Sequence, residues 1–405
     1  MHKISFIGDV MLEPLLLKNS KKNNNYDFSG VFSNVKKLYN SDYTIANLET
    51  PLAGEKFKYV NSLLSFNAPI EFAMDLIESG VDAVTMANNH ILDRGIEGLD
   101  NTIENLNKAN IQFTGIQRNK YEKSPLYFEI DNTKYALISY TYGTNFASNK
   151  LKLEDEDKEK VNILRPQEEF YYIVKRRKMG FIERVIRKLL SYLKEEKRFP
   201  ILKIFGYTYN ESHEDDNLKK DTAKPYMDML RKDIENAKEN SDFVIVYPHI
   251  GGQFNKNPGI YSKWVIEEIT NMGADFIVAA HTHVVQKFDV INDVPVYYSL
   301  GNFNMSPNSS YLIFEDLPQY GIIAHIYMDK GKILKSTFSI IKTIEKKNEQ
   351  MRVYDTFDLY NKLDGDEKNL LLEDIKTIYK KVTRANLTLS PQEEYIVLDR
   401  INDGY

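Results

Sequence analysis

Apolar positions along this chain switch between a period of two and a period near 3.6, and polar groups gather where strands run out. Ile4 to Ile7 reads as a short strand ending in Gly8-Asp9. An amphipathic segment around Val31 to Leu38 precedes a second strand, Tyr43 to Ala46, which ends in Asn47-Leu48-Glu49-Thr50-Pro51. Ser65-Phe66-Asn67-Ala68-Pro69 opens a helix through Phe72, Leu76 and Ile77 to Gly80, with proline at the start and glycine at the stop. A β-branched run from Val81 then ends abruptly in Asn88-Asn89-His90, with Asp93 three residues on. Ile96, Leu99, Ile103 and Leu106 recur at helical spacing up to Ala109. Ile111 to Gly115 is a strand, Leu126 to Ile130 and Tyr135 to Tyr140 form a hairpin across Asp131-Asn132, and Tyr142 to Asn145 leaves as a loop.

From Phe146 to Thr222 this rhythm stops. Charge is dense there, and Phe181, Ile182, Val185, Ile186, Leu189, Leu190 and Leu193 place an apolar stripe on one predicted helix within Lys175 to Lys203. After Pro225 a helix runs to about Ala237. The strand Phe243 to Tyr247 ends in Pro248-His249-Ile250-Gly251-Gly252, and the helix Tyr261 to Met272 stops at Gly273. Phe276 to Ala280 is a strand ending in His281-Thr282-His283, and Val296 to Ser299 leads into Leu300-Gly301-Asn302-Phe303. Gly321 to Tyr327 and Lys332 to Ile341 make a last hairpin, and the tail is expected to be helical over Asp364 to Val382 and Pro391 to Ile401. Strands alternating with helices predict a layered α/β fold. Its expected divisions are 1–145 and 223–345 as two halves of one domain, 146–222 as a charged, partly helical insertion, and 346–405 as a helical C-terminal extension.

Composition narrows the chemistry. The 405 residues carry a net charge of -5, which gives no global reason to expect nucleic acid. Lys175 to Lys203 is locally about +8, leaving about -13 for the rest. A basic amphipathic helix lies on an anionic membrane surface or docks its stripe on its own domain; most such helices face a core. With no cysteine, disulfides, thiolate metal sites and cysteine nucleophiles are excluded, so any metal must be held by His, Asp, Glu or Asn. The first residues lack the apolar core of a secretory signal and no run approaches the length of a membrane span, so the chain as given is expected to be cytoplasmic.

Asp9, Glu49, Asn89-His90, His249 and His281-Thr282-His283 all stand at predicted strand ends, where open α/β sheets keep their sites. Any one of them alone is an ordinary turn or capping residue. Four of the seven histidines with two acids and an amide on one rim are hard to place there by chance. The set favours a two-metal site: one carboxylate bridges two ions, imidazoles and an amide fill other positions, His90 moves a proton, and Asp93 orients its ring.

These residues resemble a known family. Gly8-Asp9-Val10-Met11-Leu12, Asn47-Leu48-Glu49, Ala87-Asn88-Asn89-His90 with Asp93 and Gly95, Tyr140 to Asn145, His249-Ile250-Gly251, His281-Thr282-His283-Val284-Val285-Gln286 and Ser299 to Phe303 are similar to the CapA-type poly-γ-glutamate capsule biosynthesis proteins, a branch of the calcineurin-like metallophosphoesterase superfamily. The resemblance covers about 3–145 and 223–340. It implies a layered metallophosphoesterase-like fold and one or two divalent ions, Mn, Fe or Zn. It implies that Asp9 and His283 bind the first ion, that Glu49 bridges, and that Asn89, His249 and His281 hold the second. His90 would be the proton donor held by Asp93, and Asn88 and Asn302 would line the substrate pocket. Three departures stand out: Met11 replaces a histidine usual in the superfamily, Asn67 an arginine frequent in this branch, and Ala280 a glycine.

Three readings follow. The first is a metal-dependent hydrolase of phosphorylated or polymer substrates serving capsule or other extracellular polymer production. The second is a non-catalytic assembly component that keeps the metal fold and uses its basic helix to recruit a membrane-bound synthase. The third is a metal-free structural domain.

Overall fold

Both faces of the central strands are apolar, so each sheet needs a layer on either side. The computed structural model describes residues 1–59, 65–119, 125–168, 214–307 and 316–401, together with 185, 188–190 and 201. The stripe and basic run expected over 175–203 therefore lie almost wholly outside the described residues. In chain order the strands are β1 (His2–Val10), β2 (Lys21–Lys22), β3 (Asn25–Tyr26), β4 (Tyr43–Leu48), β5 (Ala83–Thr85), β6 (Gln112–Thr114), β7 (Leu126–Ile130), β8 (Thr133–Thr141) and β9 (Phe243–His249). They continue with β10 (Phe276–Val278), β11 (Phe288–Ile291), β12 (Val294–Tyr297), β13 (Asn302–Asn304), β14 (Tyr320–Asp329), β15 (Lys332–Ile344), β16 (Arg352–Asp355) and β17 (Tyr395–Asp399).

Two large sheets result. One runs β16-β15-β14-β1-β4-β5-β6, with β13 beside β1 and β17 beside β15; the other runs β11-β12-β10-β9-β8-β7. Within the first, β1, β4, β5 and β6 are parallel; within the second, β8, β9, β10 and β12 are parallel. Alternation along each strand then sorts side chains between layers. Ile4, Phe6 and Ile45 of the first sheet meet Leu137, Ile245 and Phe276 of the second in a shared core. Their neighbours Ala46, Leu48 and Val84 face Phe72, Leu76, Leu99 and Ile103 from the helices Ile70–Glu78 and Gly95–Ala109. Ala136, Val244 and Ile277 face Leu230, Ile234, Val265 and Ile269 from the helices Lys220–Asn240 and Ile260–Asn271. The order is helix, sheet, sheet, helix. The Phe6 and Phe276 rings lie 5.1 Å apart across the sandwich, and the Tyr247 hydroxyl donates to the Ile7 carbonyl at 2.8 Å.

Three expectations change. The helix expected after Pro225 begins at Lys220, so Pro225 stands inside its second turn, where the ring supplies no N–H to the i−4 carbonyl. Pro391 to Ile401 is not helical: Tyr395–Asp399 pairs as β17 with β15, as its β-branched and aromatic run Tyr395-Ile396-Val397 suits a strand. The segment 150–167 returns to the fold, with Ile163 bridging Thr141 and Leu164 donating to the Thr141 carbonyl at 2.8 Å. The tail helix is Gly365–Thr383, packing Leu371, Ile375 and Ile378 into the core between the sheets. No helix among the described residues is long and apolar enough to cross a membrane.

His325 sits fully buried in β14 opposite Ser5, its Nδ1 2.9 Å from Ser5 Oγ and its Nε2 3.3 Å from Ser339 Oγ. Burial, then the Lys3 and Lys335 charges, push its pKa down to about 3. The unfolded chain binds a proton near pH 6.5 that the folded chain refuses, so stability falls as the pH drops from about 6.5 toward 3. The expected slope from this residue is about 1.4 kcal/mol per pH unit between about pH 6 and pH 4. Urea unfolding across that range should show His325→Gln with a slope shallower by one proton; an unchanged slope removes His325 as the cause.

Candidate metal centre

The C-terminal ends of the parallel strands of both sheets meet at one rim, and the strand-end residues meet with them. On the first sheet, a bulge at Gly8 turns Asp9 inward: β1 loses register with β4 between Ile7 and Asp9, and Asp9 pairs with Asn302 of β13. Glycine is required there because a Cβ would lie 2.1 Å from the Gly301 carbonyl oxygen. That approach lets the Asp9 amide donate to Gly301 at 3.1 Å. Glu49 follows β4, its amide donating to Val10 at 2.9 Å. Asn88, Asn89 and His90 follow β5.

On the second sheet, His249 ends β9. The strand β10 stops at Val278, and the next residues leave strand geometry, with His281 at φ 105° and His283 at φ 58°. Left-handed backbone at two non-glycine residues costs of order 1–3 kcal/mol each. It turns both imidazoles into one centre. Gly251, at φ 123°, packs against this turn, where a Cβ would meet Thr282 Cγ2 at 2.5 Å.

Glu49 is at the middle. It is fully buried, and neither carboxylate oxygen has a hydrogen-bond partner. Its Oε1 lies 3.5 Å from His249 Nε2, 3.8 Å from His283 Nε2 and 3.9 Å from His90 Nε2. Two overlapping groups could each hold a metal ion, Asp9 with Glu49 and His249, and Glu49 with His281 and His283, the ligand atoms of each lying within 4.8 Å of one another. Glu49 belongs to both. His249 Nε2 also lies 2.7 Å from Asn89 Oδ1 and 3.1 Å from His281 Nδ1, so these three ligand atoms converge. A buried carboxyl group without donors, ringed by imidazole nitrogens, is the donor chemistry of a divalent cation.

The electrostatics agree. Burial raises the Asp9 pKa, but the His283 hydrogen bond and charge, with Asn47, outweigh it and hold Asp9 below its usual range. Burial lowers His283, yet the Glu49 charge and the Asp9 contact at 3.3 Å raise it to about 9. His281 is held well below 6.5 by burial and by its histidine neighbours.

Other residues fix the ligands. Asn47 Nδ2 donates to Asp9 Oδ1 at 2.7 Å and lies 3.3 Å from His249 Nδ1; Thr85 Oγ1 donates to Asn47 Oδ1 at 3.1 Å. The Tyr142 hydroxyl contacts His281 Nε2. Asn145 accepts from Asn89 Nδ2 at 3.1 Å, and its own Nδ2 lies 3.4 Å from His90 Nδ1. Sequence reasoning passed over all three. Asn47 could have been found because it lies two residues before Glu49 at a strand end, where alternation gives both the same face; Tyr142 and Asn145 had one signal, their place in the Tyr140 to Asn145 stretch that carries the family resemblance. His90 Nδ1 lies 2.7 Å from Asp93 Oδ2, which also accepts from the Phe66 amide at 2.7 Å. Asn88 and Asn302 hold neighbouring groups. Asn88 donates to the Leu48 carbonyl at 2.8 Å and accepts from the His90 amide at 3.1 Å. Asn302 Oδ1 lies 2.9 Å from His283 Nδ1, and its Nδ2 donates to the His283 and Pro318 carbonyls, each at 2.9 Å. Met11 joins Phe66, Phe254, Val284 and Met305 in a buried apolar cluster.

A family profile described as "Bacterial capsule synthesis protein PGA_cap" matches residues 3–306. Two relatives are similar over about three quarters of the chain. The capsule biosynthesis protein CapA of Bacillus anthracis is 24% identical over 305 residues, which cover 74% of this chain and 59% of that protein. The PGA biosynthesis protein CapA of Bacillus subtilis (strain 168) is 21% identical over 305 residues, covering 74% of this chain and 62% of that protein. The chain thus spans about three fifths of the length of these relatives. Among solved structures, a hypothetical protein from Thermus thermophilus superposes with a TM-score of 0.36 at 13% identity, covering 87% of this chain and 99% of that one.

Two substitutions test the centre. Glu49→Gln removes the carboxylate whose charge raises His283 and leaves that imidazolium with one partner fewer, so the metal-free protein should lose about 3–5 kcal/mol of unfolding free energy. The same variant should lose the stabilisation that a bound divalent ion gives wild type, about 2.7 kcal/mol at a hundredfold excess over Kd. Melting curves with and without Mn²⁺ read both effects. Tyr142→Phe frees the outer nitrogen of His281 and should weaken metal affinity about 10- to 100-fold by titration calorimetry.

Proposed function

The chain belongs to the bacterial capsule synthesis protein family PGA_cap, and from that premise we propose that it is a metal-dependent phosphoesterase-like hydrolase serving capsule or other extracellular polymer biosynthesis. The observation that carries the reading is the donor-free, fully buried Glu49 carboxyl group at the shared corner of two ligand groups, with His90 on its rim. The printed names of the two relatives support the biological setting.

Asp9, Glu49, Asn89, His249, His281 and His283 would hold the ion or ions; Mn, Fe or Zn suits such a mixed set. A bound divalent ion supplies Lewis acidity and a water of lowered pKa. The protein's own groups do the rest. Asp93 fixes the His90 ring through Nδ1, leaving Nε2 directed at the centre. As a water oxygen bonds to phosphorus and the P–O bond to the leaving group breaks, Nε2 delivers its proton to the departing oxygen, so an alcohol rather than an alkoxide leaves. Phe66 packs on the same ring at 4.3 Å, which keeps the imidazole from turning away.

One observation favours a second reading, a non-catalytic assembly component. Met11 is committed to the apolar cluster, so the Asp9 side has one ligand fewer than the superfamily pattern implies. The two separate experimentally. Purified protein supplied with Mn²⁺ is expected to hydrolyse an aryl phosphate mono- or diester. His90→Ala should keep its metal content while kcat falls about 10²- to 10⁴-fold. A wild-type protein that holds metal and turns over neither ester leaves the assembly reading.

A further inference from the structure

The chain leaves the centre at Glu49 and comes back to it at Phe66. The ends of that excursion are tied together: the Ala68 amide donates to the Pro51 carbonyl at 2.8 Å, and Asn67 closes on Gly54, accepting from its amide at 3.1 Å and donating to its carbonyl at 2.8 Å. Phe66 is thereby delivered beside the His90–Asp93 pair, where it makes two contacts. Its amide donates to Asp93 Oδ2 at 2.7 Å, the same oxygen that lies 2.7 Å from His90 Nδ1, and its ring packs 4.3 Å from the His90 ring. A carboxylate only accepts, so the short contact puts a proton on His90 Nδ1 and leaves Nε2 to face the centre.

Arg94 holds this arrangement from the side away from the centre. Its Nη1 donates to Ser65 Oγ and to the Asp93 carbonyl, each at 2.7 Å. The contacts close a ring: Arg94 to Ser65, Ser65 to Phe66 along the chain, Phe66 to the Asp93 carboxylate, and Asp93 back to Arg94. Nε is buried without a hydrogen-bond partner and Nη2 makes only a 3.5 Å contact with the Ser65 carbonyl, so Nη1 carries the hold. Burial lowers the Arg94 pKa and the Asp93 charge opposes that lowering, so guanidinium and carboxylate attract each other across the ring. Ser65 and Arg94 are 29 positions apart, and nothing local sets their distance. Without this bond the Phe66 amide alone would have to keep the segment against Asp93.

We propose that Arg94 is a positioning residue for the proton donor: its bond to Ser65 holds the Ser65-Phe66 segment in place, and Phe66 in turn fixes Asp93 through its amide and His90 through its ring. The assignment rests on the phosphoesterase reading for the role of His90 and deepens it by naming what aims that ring. Arg94 itself contacts no substrate, moves no proton and holds no metal. Its effect passes wholly through His90, which a merely structural brace would not require.

The test has a kinetic and a spectroscopic arm, both on the full chain. With Mn²⁺ and an aryl phosphate ester, Arg94→Ala should lower kcat about 10-fold while KM and metal content stay at wild-type values. In a His90→Ala background the same substitution should cost less than about twofold, because the group it positions is gone. Arg94→Lys, whose ammonium can donate to Ser65 Oγ and the Asp93 carbonyl together, should restore most of the loss. In the metal-free protein, the downfield proton resonance of His90 Nδ1–H, assigned by its absence from His90→Ala, should broaden or vanish in Arg94→Ala and return in Arg94→Lys. Melting curves establish that each variant folds, and Ser65→Ala, which cuts the same bond from its other end, carries the test if Arg94→Ala does not. A folded Arg94→Ala protein with unchanged kcat and resonance overturns the assignment and spares the phosphoesterase reading. An equal loss in the wild-type and His90→Ala backgrounds means that Arg94 acts elsewhere, and overturns it too. A wild-type protein that holds Mn²⁺ and turns over neither ester overturns the phosphoesterase reading, and the resonance still decides whether Arg94 holds the His90 ring.

Discussion

A carboxyl group sealed from water without a single hydrogen-bond donor is unfavourable by itself, and Glu49 is such a group. Its surroundings make sense as compensation. His249, His283 and His90 turn ring nitrogens toward one of its oxygens, and the Glu49 and Asp9 charges draw a proton onto His283. The centre therefore draws positive charge, here by protonation of His283, and its donor set could hold a cation. Contacts from Asn47, Tyr142 and Asn302 hold these groups in place.

The residues of the centre come from both sheets of the sandwich. Asp9 lies in β1, and Glu49 and Asn89 follow strands of the same sheet; His249 ends β9, and His281 and His283 follow β10 of the other. Any slip between the sheets would separate the two ligand halves. The shared core of Phe6, Ile45, Ile245 and Phe276 resists that slip, and the Tyr247 hydroxyl pins it beside the centre by bonding the backbone two residues before Asp9. Packing energy is in this way converted into positional precision. The left-handed backbone at His281 and His283 draws on the same reserve, since strain of that size persists only where the surroundings over-determine it.

On one side the centre is walled by Met11, Phe66, Phe254, Val284 and Met305, all nearly inaccessible to water. The wall touches the chemistry at two points, Phe66 against His90 and Phe254 against His283. A low-dielectric wall strengthens every charge interaction inside it. Met11 thus belongs to the wall that keeps the site dry.

The rhythm of the chain determined a good deal unaided. Apolar runs marked eleven of the fifteen strands in the two large sheets, since strands buried on both faces read as unbroken apolar stretches, while the short β11, β13 and β16 went unmarked and β17 was read as helix; the polar residues closing those runs were legible as one constellation for the same reason. Sequence was also enough to place Asp93 beside His90, three positions away in one turn. Other features were set only by the tertiary fold. That the strands divide between two sheets depends on which edges meet, and no periodicity encodes that. The donor-free state of Glu49, the service of Asn302 to His283, and the reach of Arg94 back to Ser65 all depend on contacts between segments tens to hundreds of residues apart. The tail strand Tyr395–Asp399 shows the same limit from the other side. Its partner β15 decided its conformation, because a short apolar run satisfies its backbone in whichever way the neighbouring edge allows.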